Sequence, residues 1–560
     1  MIGVSPTPLD KSDLVSEPAL TTAADFSMQS DHLYQICIRS AVEKQAESGL
    51  VSILEGLLPV RFTVSDGRPA VAGEIIIEDS VERSPSIRNP SVPSFSLPDT
   101  RSSPDGKLID ISVQFAGDPR APFPFRGRRV QTKVASEPEI ISLSGNEKVL
   151  ANSERGPVWV ESDVGGVKHV KSGFALPVMP SGGNLHDVLS GERFLEMLPL
   201  LHWIREICAG SWYEGPPLRA GFMFDDPNLH WSSYGFVDYR QIAAQAAKEN
   251  YHVSFATIPL DTWFTHEATA EIFRRHASQI SLCVHGNDHT KMELTRDYAA
   301  SARVALLRQA VRRIERLERR AGLKVSRVMV PPHGACTEEM LEAIPQCGFE
   351  AACISHGSLR AHNKTRQWTK NLGWLPSELI QGCPVLPRWS FAGNTTNTIL
   401  LAAFLNQPMI LRGHHQDLKG GIELLDQPAR VINSLGSVSW SNMTDLSRAS
   451  YRWRMDGATC RLQPLGRKVT FRIPDGTTRL IIETPGNSFE ESWQIVGPNG
   501  ATLTGRAGEE FSLAEEFSGT ISIEVATAPE RATEHTTRRP KASAFVRRLL
   551  TEGRDRILSF

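Results

Sequence analysis

Two adjacent carboxylates, Asp225 and Asp226, end a short apolar run in the stretch "RAGFMFDDPNLHW". Neighbouring like charges repel each other, so both groups stay ionised only if a cation or hydrogen-bond donor lies beside them. The pair therefore raises the question of which positive group or donor lies beside it.

Histidines follow two other apolar runs. The first, "ISLCVHGNDHT", contains His285 and His289, and neutral imidazole is a common metal ligand in proteins. The second, "NQPMILRGHHQDLKGG", contains His414, His415 and Asp417, where a histidine at the end of a strand can act as an acid or a base. Unpaired surface or core histidines are the alternative interpretation of both patterns.

A proline-rich turn follows a further strand-like run in "SRVMVPPHGACT". Pro331 and Pro332 cannot continue a central strand, so they predict a stiff loop at its end. We expect a structural role for the prolines. His333 either lines the site or is an ordinary loop histidine.

The elements between about residues 219 and 442 explain how these side chains could meet. Strand-like runs alternate there with long helical stretches such as "TRDYAASARVALLRQAVRRIERLERRAG". This alternation predicts an α/β domain with a parallel sheet or barrel, in which chemistry lies at the carboxyl ends of the strands.

The rest of the chain predicts a multidomain protein of α/β plus β class. The predicted units are a disordered segment at 1–30, a mainly β domain at 31–180 with a Pro/Ser-rich surface loop at 82–107, a helical connector at 181–218, the α/β domain at 219–455, a small β-sandwich at 456–528, and a basic tail with an amphipathic helix at 529–560.

Composition excludes several classes of protein. The 560 residues include 61 basic and 63 acidic side chains, so no global charge favours nucleic acid. The eight cysteines contain no C-x-x-C pair, which favours free thiols in a reducing cytoplasm. No secretory signal is recognised, and the longest apolar run, Ile399–Leu405, is too short to span a membrane. We therefore expect a cytoplasmic protein. The sequence does not determine its oligomeric state.

The basic tail has two interpretations. Its "SAFVRRLLTEGRDRILSF" segment could contact an anionic membrane surface peripherally. The favoured alternative is a terminal helix that docks Phe545, Leu549 and Leu550 on its own protein.

The ordered set of motifs resembles the polysaccharide deacetylase family, the NodB-homology domain of carbohydrate esterase family four. That family has T-F-D-D, H-[ST]-x-x-H, R-P-P-x-G and a final apolar strand ending in histidine, and the resemblance covers roughly residues 219–442. It implies a distorted (β/α) barrel of fewer than eight strands. The implied activity is metal-dependent removal of N- or O-acetyl groups from a carbohydrate.

The resemblance also implies roles for individual residues. Asp225 matches the general base, and Asp226, His285 and His289 match the ligands of a metal site that usually holds Zn²⁺. His414 matches the general acid, with His415 as its competitor. The further residues that could line the site are His333, Pro332, His415, Asp417 and Trp374.

The motifs differ from the family pattern at several positions, among them Pro227, which follows the aspartates at once where the family commonly has glycine and then proline. Met223 replaces threonine, Gly286 replaces the serine or threonine of the histidine motif, and Val330 replaces the arginine that usually steadies the base. Arg327 or Arg412 could supply that missing cation. Two rival functions therefore remain: hydrolysis of a small amide on the same fold, and an inactive glycan-binding or assembly protein.

Overall fold

The computed structural model describes residues 33–40, 49–64, 72–78, 91–99, 107–179, 183–393, 395–484, 492–526 and 542–557. The predicted disordered segment at 1–30 lies outside these residues. No helix in the described part of the chain is long and apolar enough to cross a membrane. All eight cysteines are buried and free, as predicted.

The first part of the chain forms one nine-stranded sheet in the order β2-β1-β3-β4-β9-β8-β7-β5-β6. Its elements are β1 (Tyr34–Ser40), α1 (Gly49–Leu57), β2 (Val60–Val64), β3 (Gly73–Glu78), β4 (Ser94–Pro98), β5 (Ile109–Phe115), β6 (Arg129–Val134), β7 (Lys148–Ser153), β8 (Gly156–Val164) and β9 (Val167–Ser172). Strands β2, β1, β3, β4 and β9 run parallel, and the others pair antiparallel. The mainly β character that we predicted here is present.

The prediction of a surface loop at 82–107 is wrong at Ser94–Pro98, which form strand β4. Strand β4 lies in the middle of this sheet, parallel to both β3 and β9, and its Phe95 and Leu97 side chains are almost fully buried. The prolines suggested a loop, but Pro98 occupies the last position of the strand, where its missing N–H costs little. Residues 82–90 and 100–106 of that segment lie outside the described part.

The central part forms a ten-stranded sheet with helices between its strands. Its elements, preceded by α2 (Leu198–Ile207), are β10 (Arg219–Asp225), β11 (Ser233–Tyr234), β12 (Val237–Asp238), α3 (Tyr239–Glu249), β13 (Val253–Thr257), α4 (Glu267–Arg275), β14 (Ile280–His285), α5 (Ala300–Ala321), β15 (Val325–Val330), α6 (Glu338–Gln346), β16 (Ala351–Cys353), α7 (His356–His362), β17 (Glu378–Ile380), β18 (Cys383–Leu386), β19 (Trp389–Ser390), α8 (Thr396–Phe404), β20 (Met409–Gly413), α9 (Asp426–Asn433), β21 (Ser439–Trp440) and α10 (Met443–Arg448). Strands β11 and β12 form a separate hairpin.

The order of the large sheet is β17-β18-β16-β15-β14-β13-β10-β20-β19, with β21 also paired to β10. Every pairing is parallel except that of β17 with β18. The predicted α/β class is therefore confirmed. Strand pairing among the described residues follows an open path. The sheet has ten strands, whereas the resemblance implied fewer than eight, and four of the ten are only two or three residues long.

Two four-stranded sheets and one helix complete the described chain. The elements are β22 (Tyr451–Asp456), β23 (Thr459–Pro464), β24 (Lys468–Arg472), β25 (Arg479–Ile482), β26 (Ser492–Val496), β27 (Thr502–Arg506), β28 (Glu510–Ser512), β29 (Thr520–Val525) and α11 (Ala542–Ile557). The sheets, β22-β23-β25-β28 and β24-β29-β26-β27, share a core that includes Phe471, Trp493 and Ile523. The division of the chain into the predicted domains stays a prediction.

Candidate metal and catalytic centre

The carboxyl ends of three parallel strands bring the sequence motifs together. Asp225 ends β10, His285 ends β14, and His414 directly follows β20. Since β10 pairs in parallel with β13 and β20, and β13 with β14, these ends meet at one edge of the sheet. The sheet thus collects residues that are separated by up to 189 positions in the sequence.

Asp226, His285 and His289 form one compact cluster. One carboxylate oxygen and one imidazole nitrogen from each histidine all lie within 4.8 Å of one another. Asp226 Oδ1 is 2.9 Å from His289 Nε2 and 3.4 Å from His285 Nε2. Burial raises the pKa of Asp226, but the two imidazoles outweigh this effect and hold the pKa well below its usual range.

The hydrogen bonds around the cluster leave its electron pairs available to a cation. His285 Nδ1 lies 2.9 Å from the carbonyl oxygen of Val330, which can only accept, so the ring donates there and Nε2 keeps its lone pair. Asp226 Oδ1 faces the two imidazoles, and the buried His289 Nδ1 has no hydrogen-bond partner among the described residues. A carboxylate and two imidazoles directed at one point fit a divalent transition metal such as zinc.

The backbone is strained around this cluster. Asp226, His289 and His333 have φ values of +82°, +50° and +60°, in the left-handed region that residues with a side chain rarely adopt. Such conformations persist only where the surrounding structure enforces them, and they concentrate at functional sites. The two neighbouring carboxylates have different partners: Asp226 faces His285 and His289, and Asp225 faces Arg388.

Asp225 has its own cation, Arg388, which lies between β18 and β19. Arg388 Nη1 is 3.1 Å from both carboxylate oxygens, and both residues are about 97% buried. Burial raises the pKa of Asp225, but Arg388 first and His285 second outweigh it, so the net pKa is lowered. Asp225 therefore stays ionised inside the protein.

Arg388 corrects the predicted replacement for the missing arginine. Arg327 instead pairs with Glu318 at 2.6 Å. Among the described residues, the guanidinium that contacts Asp225 belongs to Arg388 and not to Arg412. Sequence reasoning missed Arg388 because it follows a short strand far from the proline motif. Its one signal is an arginine directly after the apolar run "CPVLP".

A second residue that sequence reasoning missed, Glu293, holds the histidine loop. Its carboxylate accepts the backbone N–H groups of Asn287, Asp288 and His289 at 2.9, 2.8 and 3.2 Å. Gly286 makes room for this arrangement: at its φ of +60°, an added Cβ would lie 2.6 Å from Pro332 Cγ and 2.7 Å from Glu293 Oε2. The family's hydroxyl is absent at Gly286, and the buried Glu293 carboxylate holds the loop instead by accepting three backbone N–H groups.

The two candidate acids have different surroundings. His415 is 1% exposed and packs between the rings of Tyr234 and Phe236, and burial lowers its pKa. The His414 side chain is 39% exposed, and its positive form would help to lower the pKa of Asp225. Asp417 accepts the backbone N–H of His414 at 2.8 Å, which fixes the start of this turn.

The remaining candidates divide between two places. His333 lies beside the cluster, with its ring centre 5.3 Å from that of His289, and burial lowers its pKa; Pro332 packs at Gly286. Trp374 is elsewhere: with Trp212 and Leu218 it lines a cavity of about 690 Å³. Leu218 precedes β10 whereas Asp225 ends it, so Trp374 does not line the cluster.

Helix α11 also reaches this edge of the sheet. Arg547 donates hydrogen bonds to the carbonyl oxygens of Asp288, at 3.3 Å, and of His289. Asp555 lies 3.5 Å from His415 Nε2 and accepts a hydrogen bond from Tyr234 at 2.9 Å. The helix therefore supports both the histidine loop and the turn that carries the two candidate acids.

The known proteins that resemble this chain are solved structures. No protein-family model and no curated protein matches the chain. The solved structures that match include Agd3, described as a carbohydrate deacetylase, with 12% identity over 86% of this chain and 99% of that chain and a TM-score of 0.48.

Shorter structures match the central part. A family 4 carbohydrate esterase from Streptomyces lividans in complex with acetate is 11% identical over 42% of this chain and 97% of its own, with a TM-score of 0.26. BA3943 from Bacillus anthracis, a CE4 family pseudoenzyme, is 13% identical over 44% of this chain and 70% of its own, with a TM-score of 0.27. At low identity, the chain is similar to carbohydrate deacetylases, including members of carbohydrate esterase family four.

Proposed function

We propose that this protein is a metal-dependent hydrolase that removes acetyl groups from a carbohydrate, as a divergent member of the polysaccharide deacetylase superfamily. The observation that supports this most is the division of labour between the two adjacent aspartates. Asp226 faces His285 and His289, while Asp225 is held ionised by Arg388. This separates a metal ligand from a base within one dipeptide.

A divalent metal held by Asp226, His285 and His289 would lower the pKa of water and polarise the acetyl carbonyl. Asp225 accepts the proton of the attacking water, since the contact with Arg388 keeps its carboxylate charged at neutral pH. His414 donates a proton to the departing sugar nitrogen or oxygen. His415 is buried by Tyr234 and Phe236, and so we assign the acid to His414.

The substrate class follows from the resemblance, and zinc is the metal that we propose. We also propose that the predicted division of the chain holds, with the flanking β regions next to a catalytic α/β domain. The protein would act in the cytoplasm on an N- or O-acetylated glycan. Hydrolysis of a small amide is the second candidate for the same chemistry.

The inactive glycan-binding alternative is less well supported. It was suggested by the absence of the family's hydroxyl at Gly286 and of its arginine at Val330. Glu293 instead holds the histidine loop, and Arg388 instead contacts Asp225. A buried ion pair such as Arg388–Asp225 is costly to keep unless its charges are used or well matched. The pair therefore favours retained catalysis.

The test measures acetate release from N-acetylated and O-acetylated oligosaccharides, with metal content determined by elemental analysis. We expect release to stop with a chelator and to return with zinc. His289→Ala should lose metal and activity together, and Asp225→Asn should lose activity but keep metal. His362→Ala, in α7 and outside the cluster, is the matched control.

Two results would contradict the proposal. A His289→Ala protein with full metal content and activity would remove the assigned site. Glycan binding without acetate release at any metal loading would favour the non-catalytic alternative.

A further inference from the structure

The last described helix, α11, is docked on the α/β unit through its charged side chains. Arg548 pairs with Asp261 at 2.6 Å, and Glu552 lies 2.8 Å from His230 Nδ1. Both helix residues are buried, as is Asp555, which accepts the Tyr234 hydroxyl. Ala544 adds a small apolar contact with Ile258 and Leu260.

The opposite face of α11 is apolar and faces solvent. Val546, Leu549, Leu550 and Ile557 are 53%, 44%, 71% and 76% exposed, and their spacing of three, four and eleven residues places them on one side of the helix. This orientation reverses the usual one. It also corrects the favoured sequence interpretation, because Phe545 packs on Trp263 while Leu549 and Leu550 point outward.

Exposed aromatic side chains border this apolar stripe. The Trp263 ring centre is 5.5 Å from that of Phe545 and 5.7 Å from that of Phe264, and both Trp263 and Phe264 are more than 40% exposed. Near the carboxyl end of the helix, the Arg556 guanidinium lies 5.7 Å from the ring centre of Trp231, which is 58% exposed. We call the four stripe residues together with Trp231, Trp263 and Phe264 the α11 face.

The exposed charges of α11 itself are positive. Both acidic residues of α11, Glu552 and Asp555, lie on the docked side, whereas Arg547 and Arg554 are exposed. Arg320 of α5 is also exposed and donates to the Trp263 carbonyl oxygen at 3.1 Å. In the sequence, Arg538, Arg539 and Lys541 precede the helix.

We infer that the α11 face is a docking surface for an anionic lipid membrane. An apolar helical stripe with bordering tryptophans suits the boundary between headgroups and acyl chains, where tryptophan concentrates. Basic residues beside it are attracted by the negative surface potential of anionic lipids. Since α11 also contacts the His289 loop, docking places the candidate site next to the membrane surface. The inference does not depend on the proposed hydrolase activity.

The test is co-sedimentation of the full chain with vesicles of phosphatidylcholine alone and of phosphatidylcholine mixed with phosphatidylglycerol. We expect binding to the anionic vesicles that weakens with added salt. The double variant Leu549→Ser/Leu550→Ser should reduce the affinity at least about tenfold, because each side chain loses several buried carbon atoms. Arg554→Glu should reduce it through charge alone.

A matched control replaces two exposed apolar residues elsewhere, Leu143→Ser and Val178→Ser, which are 48% and 59% exposed. This control should bind like the unchanged protein, and circular dichroism should show that all variants are folded. Absence of binding to anionic vesicles, or binding that the leucine variant leaves unchanged, would overturn the inference. So would a stable dimer that the leucine variant converts to a monomer, since a second copy would then cover the α11 face.

Discussion

Replacement of Arg388 by methionine tests whether this residue supplies the positive charge beside Asp225. In the family an arginine usually supplies it, and Val330 stands at that position here. The change keeps much of the side-chain volume and removes the charge 3.1 Å from both oxygens of Asp225. Because Asp225 is 2% exposed, bulk solvent screens its charge poorly once the guanidinium is gone. The carboxylate must therefore either remain charged without a partner or take up a proton.

Breaking a buried ion pair by removing one partner costs about 3–5 kcal/mol of folding free energy. An adjacent positive charge lowers the pKa of a carboxylate, so its removal should raise the pKa of Asp225. The sign is upward, because burial opposes the charged form and Arg388 is the first of the groups that counteract burial.

The assay combines urea unfolding with acetate release as a function of pH. Arg388→Met should unfold at lower urea, and the acidic limb of its activity profile should move to higher pH. Arg327→Met is the control, since its pair with Glu318 is about one-fifth exposed and its loss should cost about 1 kcal/mol or less. The double variant Asp225→Asn/Arg388→Met should recover part of the stability, because no unpaired charge remains.

The reasoning fails if Arg388→Met matches Arg327→Met in both stability and pH profile. It also fails if the double variant is no more stable than Arg388→Met, because the cost would then come from lost packing and not from the unpaired carboxylate.

Three further predictions concern the supports of the site. Glu293→Gln should weaken zinc binding about 10–100-fold, measured by calorimetric titration, because three N–H groups lose a charged acceptor; Glu315→Gln on the exposed side of α5 should not. Gly286→Ala should destabilise the protein by about 2–4 kcal/mol in urea unfolding, whereas Gly165→Ala, at φ +65° with no atom within 4 Å, should show only the cost of the backbone conformation, about 1 kcal/mol. Protection of α11 from amide hydrogen exchange should be greatest between about pH 4.5 and 6.5. Glu552 and His230 form the pair that anchors α11. Burial opposes the charge of each group, but the interaction with its partner outweighs burial. The pKa of Glu552 is therefore lowered from 4.5 to about 2, and the pKa of His230 is raised above 6.5. The carboxylate's contribution is lost as pH falls toward 2, and that of the imidazole is lost as pH rises through its raised pKa. Protection that does not change across this range would contradict the assigned anchor.

The sequence by itself determined the fold class and pointed to the three residues of the cluster. Asp226, His285 and His289 were selected by the family resemblance, and the structure brings them together because the parallel strands that precede them end at a common edge. Local pattern also predicted the alternation of strands and helices. It failed at β4, because prolines that interrupt an isolated strand are tolerated at its last position inside a sheet.

Tertiary structure alone decided which groups complete the site. Arg388 reaches Asp225 across 163 positions of the chain, and Glu293 acts through backbone N–H groups that no residue type reveals. The orientation of α11 was equally out of reach, since its sequence offers an apolar face and a charged face, either of which can pack inward. The buried partners Asp261, His230 and Tyr234 select the charged face, because with the apolar face inward they would lose their ion pairs and hydrogen bonds to α11.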